Sequence, residues 1–224
     1  AFVGENGAGK TTLVKLLMHL YDVTDGSICY GGHDIREYGT GEYRERIGAV
    51  FQDYQIYGAT LAENVLMDEV EVGDRERILE ALKQADFEKR LLRLPDGLDT
   101  NMTREFREDG TMLSGGEAQK VAIARMFVRT GKQFLAILDE PSSALDPLAE
   151  YQLNTNMMKN AGDAAVIFIS HRLSTTRDAD RIYMFENGRI IEQGSHQELM
   201  RLGGKYAAMF EKQAYYYQDE IAAC

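Results

Sequence analysis

The sequence has few cysteines, a deficit of positive charge and no long apolar segment. Its two cysteines, Cys29 and Cys224, lie far apart in 224 residues, which excludes a disulfide framework and favours a reducing compartment. No apolar run approaches the roughly 20 residues that a membrane-spanning helix needs, and no signal peptide is visible. Because 36 acidic residues outnumber 25 basic ones, the net charge is −11, and nucleic acid, whose binding requires phosphate neutralisation, is disfavoured as a partner.

The sequence also lacks an initiator methionine. Ala1, Phe2 and Val3 lead directly into a glycine-rich loop, so we expect a fragment of a longer polypeptide, truncated at its N-terminus. The composition, 44% hydrophobic and 27% charged residues, allows a sizeable core. The length suits one large α/β domain or a domain with an inserted subdomain.

Two different patterns divide the chain. Continuous apolar runs at Phe134 to Leu138 and Ala164 to Ile169 are typical of buried parallel strands. Between about 56 and 130 the chain is rich in Leu, Glu, Arg and Lys with helical periodicity. We therefore predict an α/β core formed by 1–55 and 131–224, with a mostly parallel central sheet, a small antiparallel β part and an inserted α-helical subdomain at about 56–130.

Finer periodicity predicts several elements. Leucines at helical spacing indicate a helix from about Lys10 to Leu20, and Ile78, Leu79 and Leu82 are expected on one face of a second helix. The Asn187-Gly188 pair predicts the turn of a strand-turn-strand unit.

Residues Gly4 to Thr11 read GENGAGKT and match the phosphate-loop pattern G-x-x-x-x-G-K-[ST] between a predicted strand and a predicted helix. Glycines allow backbone N–H groups to turn toward phosphates, and the helix N-terminus adds partial positive charge. Lys10 supplies an ammonium for the terminal phosphates, and the Thr11 hydroxyl suits Mg²⁺. The loop predicts nucleoside triphosphate binding, a property that many classes of enzyme share.

Two further motifs extend this prediction. Asp139 and Glu140 follow an apolar strand, at the strand end where doubly wound sheets bind ligands, so Asp139 is a candidate magnesium ligand and Glu140 a candidate for activating water. The segment Ser114 to Glu117 opens a helix with a hydroxyl and two glycines, which is a second possible anion site. One molecule does not need two such sites for one γ-phosphate, whereas two molecules packed head to tail do.

Together the motifs resemble the nucleotide-binding domain of ABC ATPases, a P-loop NTPase with a RecA-like core. Six motifs occur in the order of that family and cover nearly the whole chain: Gly4 to Thr11 as Walker A, Gln52 as the Q-loop glutamine, Leu113 to Glu117 as the signature, Phe134 to Asp139 with Glu140 as Walker B and catalytic glutamate, Ser143 to Asp146 as the D-loop, and His171 as the switch histidine.

The resemblance implies a role for each matched residue. Glu140, His171 and Gln52 are the catalytic candidates, with His171 at the γ-phosphate and Gln52 near Mg²⁺ and the membrane domain. Thr11, Gln52 and Asp139 are the Mg²⁺ candidates. The expected ATP contacts are Gly4, Asn6, Gly7, Ala8, Gly9, Lys10, Thr11, Thr12, Ser114, Gly115, Gly116, Glu117 and Asp146.

Other segments resemble the exporter branch, namely Leu94 to Thr100, His171 to Thr175 and Gly194 to Leu199. Two positions depart from the pattern: Glu117 replaces the usual Gln of the signature, and Arg107 stands where exporters often have Gly. The aromatic residue that stacks on adenine is missing because it precedes Phe2 in the family. We therefore expect this chain to bind ATP poorly.

The predicted function is ATP hydrolysis that drives export, at the cytoplasmic face of the cell membrane. The expected partners are a second ABC ATPase domain, identical or different, packed head to tail, and the transmembrane domain of the same transporter. The alternatives are an ABC ATPase outside transport, tied to DNA or ribosomes, and a nucleotide-gated dimerisation module with little turnover.

Overall fold

The computed structural model describes residues 1–129, 133–139, 155–159, 163–170 and 176–222, with side chains up to residue 215. The chain divides into two compact units. Unit 1 comprises Ala1–Glu45 and Ile167–Cys224, and unit 2 comprises Arg46–Val166. The predicted helical subdomain at 56–130 lies within unit 2, and its boundaries stay a prediction.

The strands and helices of the described residues follow one another as β1 (Phe2–Val3), α1 (Lys10–Leu17), β2 (Cys29–Tyr30), β3 (His33–Asp34), α2 (Thr40–Glu45), β4 (Ile47–Val50), α3 (Leu61–Leu66), α4 (Arg75–Gln84), α5 (Glu88–Leu91), α6 (Gly115–Phe127), β5 (Leu135–Asp139), β6 (Ala165–Ile169), β7 (Ile182–Glu186), β8 (Arg189–Gly194), α7 (His196–Leu202) and α8 (Lys205–Ala222). Short 3₁₀ turns lie at Ile35–Glu37, Val72–Asp74 and Gly97–Asp99.

Unit 1 contains strands in the order β6-β1-β7-β8. Strand β1 is parallel to both neighbours, with Phe2 opposite Ile169 on one side and Tyr183 on the other. Strands β7 and β8 form an antiparallel hairpin. Its turn is Asn187-Gly188, with φ values of 50° and 74°, a conformation that this dipeptide adopts readily. The predicted strand-turn-strand unit is confirmed.

The core of unit 1 lies beneath this hairpin. Apolar side chains of the strands pack against the two C-terminal helices in a cluster formed by Val3, Ile182, Met184, Leu199 and Tyr206. The small antiparallel part is the pair β2 and β3, in which Cys29 lies opposite Asp34. The predicted α1 ends at Leu17 rather than Leu20, since His19 has a φ of 53°, a left-handed conformation that terminates a helix.

Unit 2 pairs β4 and β5 in parallel, with Ile47 opposite Leu135. The start of β6 continues this pattern, because the Ala165 N–H donates to the Phe134 carbonyl over 2.9 Å. Of the four strand pairings described among β1 and β4 to β8, three are parallel, as the continuous apolar runs predicted. The α/β class with a small antiparallel part is confirmed.

Two helices of unit 2, α3 and α6, begin with side-chain caps. Thr60 caps α3: the Glu63 N–H donates to its Oγ1 over 3.2 Å, and its own N–H donates to Glu63 Oε2 over 2.7 Å. These reciprocal bonds satisfy two N–H groups that a helix start leaves unpaired. The fully buried side chains of this unit include Leu61, Val65, Ile78, Leu82, Phe87 and Val121.

The expectation for α4 was wrong at one position. Ile78 and Leu82 are fully buried, but Leu79 remains 44% exposed. Adjacent helical residues point about 100° apart, so Leu79 lies at the edge of the apolar face, on the side where it lines a surface groove with Leu91 and Leu92.

This difference predicts unequal stability effects along one helix. Leu82→Ala should lower the free energy of unfolding by about 2–5 kcal/mol, because the vacated volume leaves a cavity in the core. Leu79→Ala, the matched control, should lower it by less than about 1 kcal/mol, since part of that side chain is already in water. Chemical denaturation of both variants measures the two values, and equal losses would contradict the assignment of the buried face.

Candidate functional site

The loop between β1 and α1 has a backbone that requires glycine at two points. Gly4 has a φ of 145°, and a Cβ there would lie 2.4 Å from the Phe185 carbonyl oxygen. Gly9 has a φ of 102°, and a Cβ there would lie 3.2 Å from Gly188 Cα. Both the backbone conformation and the close approach of β7 and its turn exclude larger residues. Hydrogen bonding adds to this contact, because the Gly188 N–H donates to the Ala8 carbonyl over 3.0 Å.

Lys10, the first residue of α1, folds back along this loop. Its Nζ donates to the Gly4 carbonyl over 2.8 Å and to the Glu5 carbonyl over 3.0 Å. The side chain is only 5% exposed, so the amino group of Lys10 is held inside the glycine-rich loop. The helix is preceded by Gly9, which offers no side-chain cap. An ammonium, a glycine-rich backbone and a helix N-terminus together form a site suited to phosphate.

The remaining predicted contacts of the loop lie on its accessible side. Asn6, Gly7 and Thr12 are exposed, and Thr11 is half-buried. Thr11 follows Lys10 directly, so the hydroxyl and the ammonium belong to adjacent residues in the first turn of α1.

In unit 2, the predicted signature segment begins α6. Ser114 is the residue before the helix: the Glu117 N–H donates to its Oγ over 3.3 Å, and its own N–H donates to Glu117 Oε2 over 2.9 Å. Ser114 and Gly115 are exposed, and Gly116 is half-buried. The other carboxylate oxygen of Glu117 lies 2.9 Å from Arg90 Nε, an ion-pair contact rather than an aligned hydrogen bond.

Gln52 is exposed in the turn that follows β4, and its segment is attached to the signature helix. The Tyr54 hydroxyl donates to the Gly115 carbonyl over 2.9 Å. Burial raises the pKa of Tyr54, so the phenol keeps its proton and remains a donor. Unit 2 therefore brings the segment of Gln52 and the start of α6 together.

A second contact joins the same segment to the C-terminal half of α6. Arg125 donates through Nη2 to the Gln55 carbonyl over 2.6 Å and through Nε to the Asn64 carbonyl over 2.8 Å. Its guanidinium carbon also lies 5.6 Å from the centroid of the Tyr57 ring, within the range of a cation–π contact. Burial of the guanidinium lowers the pKa of Arg125, yet the group stays charged at physiological pH because its ordinary pKa is so high.

Asp139 closes β5 and is 6% exposed. Glu140, Asp146 and His171 lie outside the described residues. Among the residues that are described, no three His, Cys, Asp or Glu side chains form a metal site of their own. The predicted Mg²⁺ ligands Thr11, Gln52 and Asp139 contain a single carboxylate, so a full octahedral shell would require oxygens from phosphate and water as well.

Sequence reasoning did not find Tyr54, Arg90 or Arg125. Their partners are backbone carbonyls and a carboxylate far away in the chain, and no local spacing indicates such contacts. For Arg90 the sequence did contain one signal, namely Glu117 where the family usually has Gln. A carboxylate at a helix start can pair with a basic side chain.

In the part of the chain that the structure describes, no helix combines the length and hydropathy of a membrane-crossing segment.

Comparisons with known proteins agree with these findings. The sequence profile described as ABC transporter matches residues 1–143. Multidrug export ATP-binding/permease proteins of Staphylococcus aureus strains NCTC 8325 and Mu50 are each 39% identical over 213 residues, which is 95% of this chain and 36% of each relative. A bacterial Atm1-family ABC exporter solved with ATP bound aligns with a TM-score of 0.85 and 37% identity, over 95% of this chain and 36% of that chain.

The chain therefore belongs to the ABC transporter family. Its fold is the P-loop nucleotide-binding domain of an ABC exporter, and the predicted resemblance is confirmed. It spans about a third of the length of the relatives it matches, 36% in each case.

The glycine geometry predicts a difference between two positions of the phosphate loop. Gly4→Ala should lower the free energy of unfolding by more than about 2 kcal/mol, because a Cβ clashes with the Phe185 carbonyl and the φ is strained. Gly7→Ala should cost about 1 kcal/mol, since its φ is 78° but nothing lies within 4 Å of the added Cβ. Thermal unfolding without nucleotide compares them, and a larger loss at Gly7 would refute this account of the loop.

Proposed function

We propose that this chain binds and hydrolyses ATP as the motor domain of an exporter at the cytoplasmic face of the cell membrane. The observation that carries the proposal is the buried Lys10 ammonium, held at 2.8 and 3.0 Å by the carbonyls of Gly4 and Glu5 at the start of α1. A positive charge beside a glycine-rich loop and a helix start favours a polyphosphate ligand even though the chain carries a net charge of −11. The export relatives support the coupling to transport.

The phosphate loop of unit 1 would hold the triphosphate of ATP. Lys10 would neutralise its terminal phosphates, and the loop N–H groups would bind the remaining oxygens. The proposed contacts from this loop are Gly4, Asn6, Gly7, Ala8, Gly9, Lys10, Thr11 and Thr12.

Thr11, Gln52 and Asp139 would hold Mg²⁺, which supplies charge neutralisation of the phosphates when bound. Glu140 would orient and deprotonate the attacking water, and His171 would contact the γ-phosphate. A carboxylate that directly follows the proposed metal ligand in the sequence would be able to act on a water beside the phosphate.

The signature segment supports a pair of domains packed head to tail. Ser114 and Gly115 are exposed at the start of α6, so this helix start is accessible to a second molecule. We propose that Ser114, Gly115, Gly116 and Glu117 of one domain approach the nucleotide bound by the other, with Asp146 at the same interface. The second domain could be identical or different, and the transmembrane domain of the transporter is the third partner.

The alternatives make different demands on the same residues. A dimerisation module without turnover does not need Glu140 beside Asp139, and an ATPase tied to DNA or ribosomes needs positive surface that a net charge of −11 does not provide. Relatives named for export favour the transport function.

The role of Glu140 can be measured directly. In the intact polypeptide that contains this chain, Glu140→Gln should retain ATP binding and lower turnover by roughly 10²-fold or more, because the group that activates water is lost. Phosphate release and nucleotide binding would be measured in parallel. Lys10→Ala is the control that should lose binding itself, and normal turnover in Glu140→Gln would remove this residue from the mechanism.

A head-to-tail pair of domains also predicts that Mg-ATP doubles the mass of the sedimenting species. The Glu140→Gln form should sediment as a dimer with saturating Mg-ATP and as a monomer without it, because ATP stabilises the state that binds it at two surfaces. Analytical ultracentrifugation of the complete nucleotide-binding domain gives the measurement. Ser114→Arg should block the ATP-dependent dimer through bulk at the interface. A monomer at saturating nucleotide in the Glu140→Gln form would count against the pair.

A further inference from the structure

The start of α6 contains a negative charge where the proposed function places a phosphate. Glu117 is the third residue of the helix, and its carboxylate turns back to the helix start, with Oε2 accepting from the Ser114 N–H over 2.9 Å. For the isolated helix this arrangement is favourable, since a carboxylate satisfies an unpaired N–H and complements the helix dipole. For an incoming phosphate it is unfavourable, because two negative charges then meet at the same few backbone groups.

Arg90 lies against this carboxylate. Its Nε is 2.9 Å from Glu117 Oε1, and the side chains are only 27% and 31% exposed. A guanidinium this close cancels most of the carboxylate's long-range field, and limited exposure to water reduces the screening of the pair. The two oxygens of Glu117 are thus occupied differently, one by the N–H of Ser114 and one by Arg90.

We propose that Arg90 is a positioning residue for the ATP reaction. It holds Glu117 against the start of α6 and offsets the charge of the carboxylate, so that the signature segment accepts a phosphate. This inference rests on the proposed function. It concerns a residue that touches neither the nucleotide nor the reacting atoms, and it accounts for an acidic residue at a position where a neutral Gln is usual.

The same helix provides a matched comparison. Lys120, one turn beyond Glu117, forms an ion pair of 2.6 Å with Asp86, and its side chain is 23% exposed. Both pairs therefore join α6 to the chain segment around α5. Only the Arg90 pair contains a group at the helix start. If the pairs only attach α6 to this segment, variants of Arg90 and Lys120 should behave alike, whereas charge compensation predicts an effect on ATP for Arg90 alone.

The test uses the intact polypeptide and measures ATP turnover against Mg-ATP concentration at low and high salt, with thermal unfolding alongside. Arg90→Met should raise the KM for Mg-ATP by about 5- to 30-fold at low salt, the size of effect expected from one uncompensated charge near the anion. The kcat should change less. High salt should shrink the defect, because it screens the repulsion.

Two further variants separate charge from structure. Adding Glu117→Gln to Arg90→Met should return the KM most of the way to the wild-type value, since no negative charge remains to be offset. Arg90→Lys should keep the KM near the wild-type value, because it retains the positive charge. Lys120→Met should leave the KM within about 2-fold of wild type, because neither Lys120 nor Asp86 is at the helix start, and the Asp86 carboxylate left behind is 57% exposed and screened by water. If Arg90→Met does not fold, Arg90→Gln takes its place in every comparison.

The inference is overturned if the Arg90 variant binds Mg-ATP like wild type, if Glu117→Gln does not rescue it, or if Lys120→Met shows the same defect. Wild-type turnover that Lys10→Ala abolishes confirms that the phosphate loop acts on ATP, so a negative result for Arg90 would then count against this inference alone. A wild-type protein without ATP turnover would overturn the proposed function and this inference together.

Discussion

The phosphate loop depends on one constraint, the close passage of β7 and its turn behind the loop. The Phe185 carbonyl leaves no room for a Cβ at Gly4, and Gly188 lies against Gly9 while its N–H bonds to Ala8. These contacts fix a loop whose φ values suit only glycine. The Lys10 ammonium can then remain buried because the loop presents carbonyl oxygens at hydrogen-bond distance. Direct contacts and hydrogen bonds thus join the hairpin, the loop and the Lys10 ammonium, so the position of the ammonium depends on the position of the hairpin.

The sequence predicted the parts of this arrangement that depend on local pattern. Apolar runs indicated the buried strands, Asn187-Gly188 indicated the hairpin turn, and the spacing of Gly4, Gly9 and Lys10 indicated the phosphate loop. Local pattern could not show that Leu79 lies at the edge of the α4 face, because helical spacing defines a stripe but not the width that its neighbours cover.

Long-range contacts in unit 2 could not be predicted for a related reason. Tyr54 and Arg125 bind backbone carbonyls, and any residue supplies a carbonyl, so the sequence of the partner carries no signal. These two side chains nevertheless attach the segment after Gln52 to α6 near both ends of the helix. A displacement of α6 would therefore be transmitted to the Gln52 segment through hydrogen bonds at two points.

The substitution at Glu117 shows how two physical demands meet at one helix start. Helix stability favours a carboxylate at the third position, because the reciprocal bonds with Ser114 satisfy two N–H groups. Anion binding favours the absence of negative charge at the same place. A neutral Gln meets both demands with weaker capping. This chain keeps the stronger acceptor and places Arg90 beside it, so that the helix start retains its cap while the net charge of the pair is zero. The cost is that the anion site then depends on a residue of a different helix, α5.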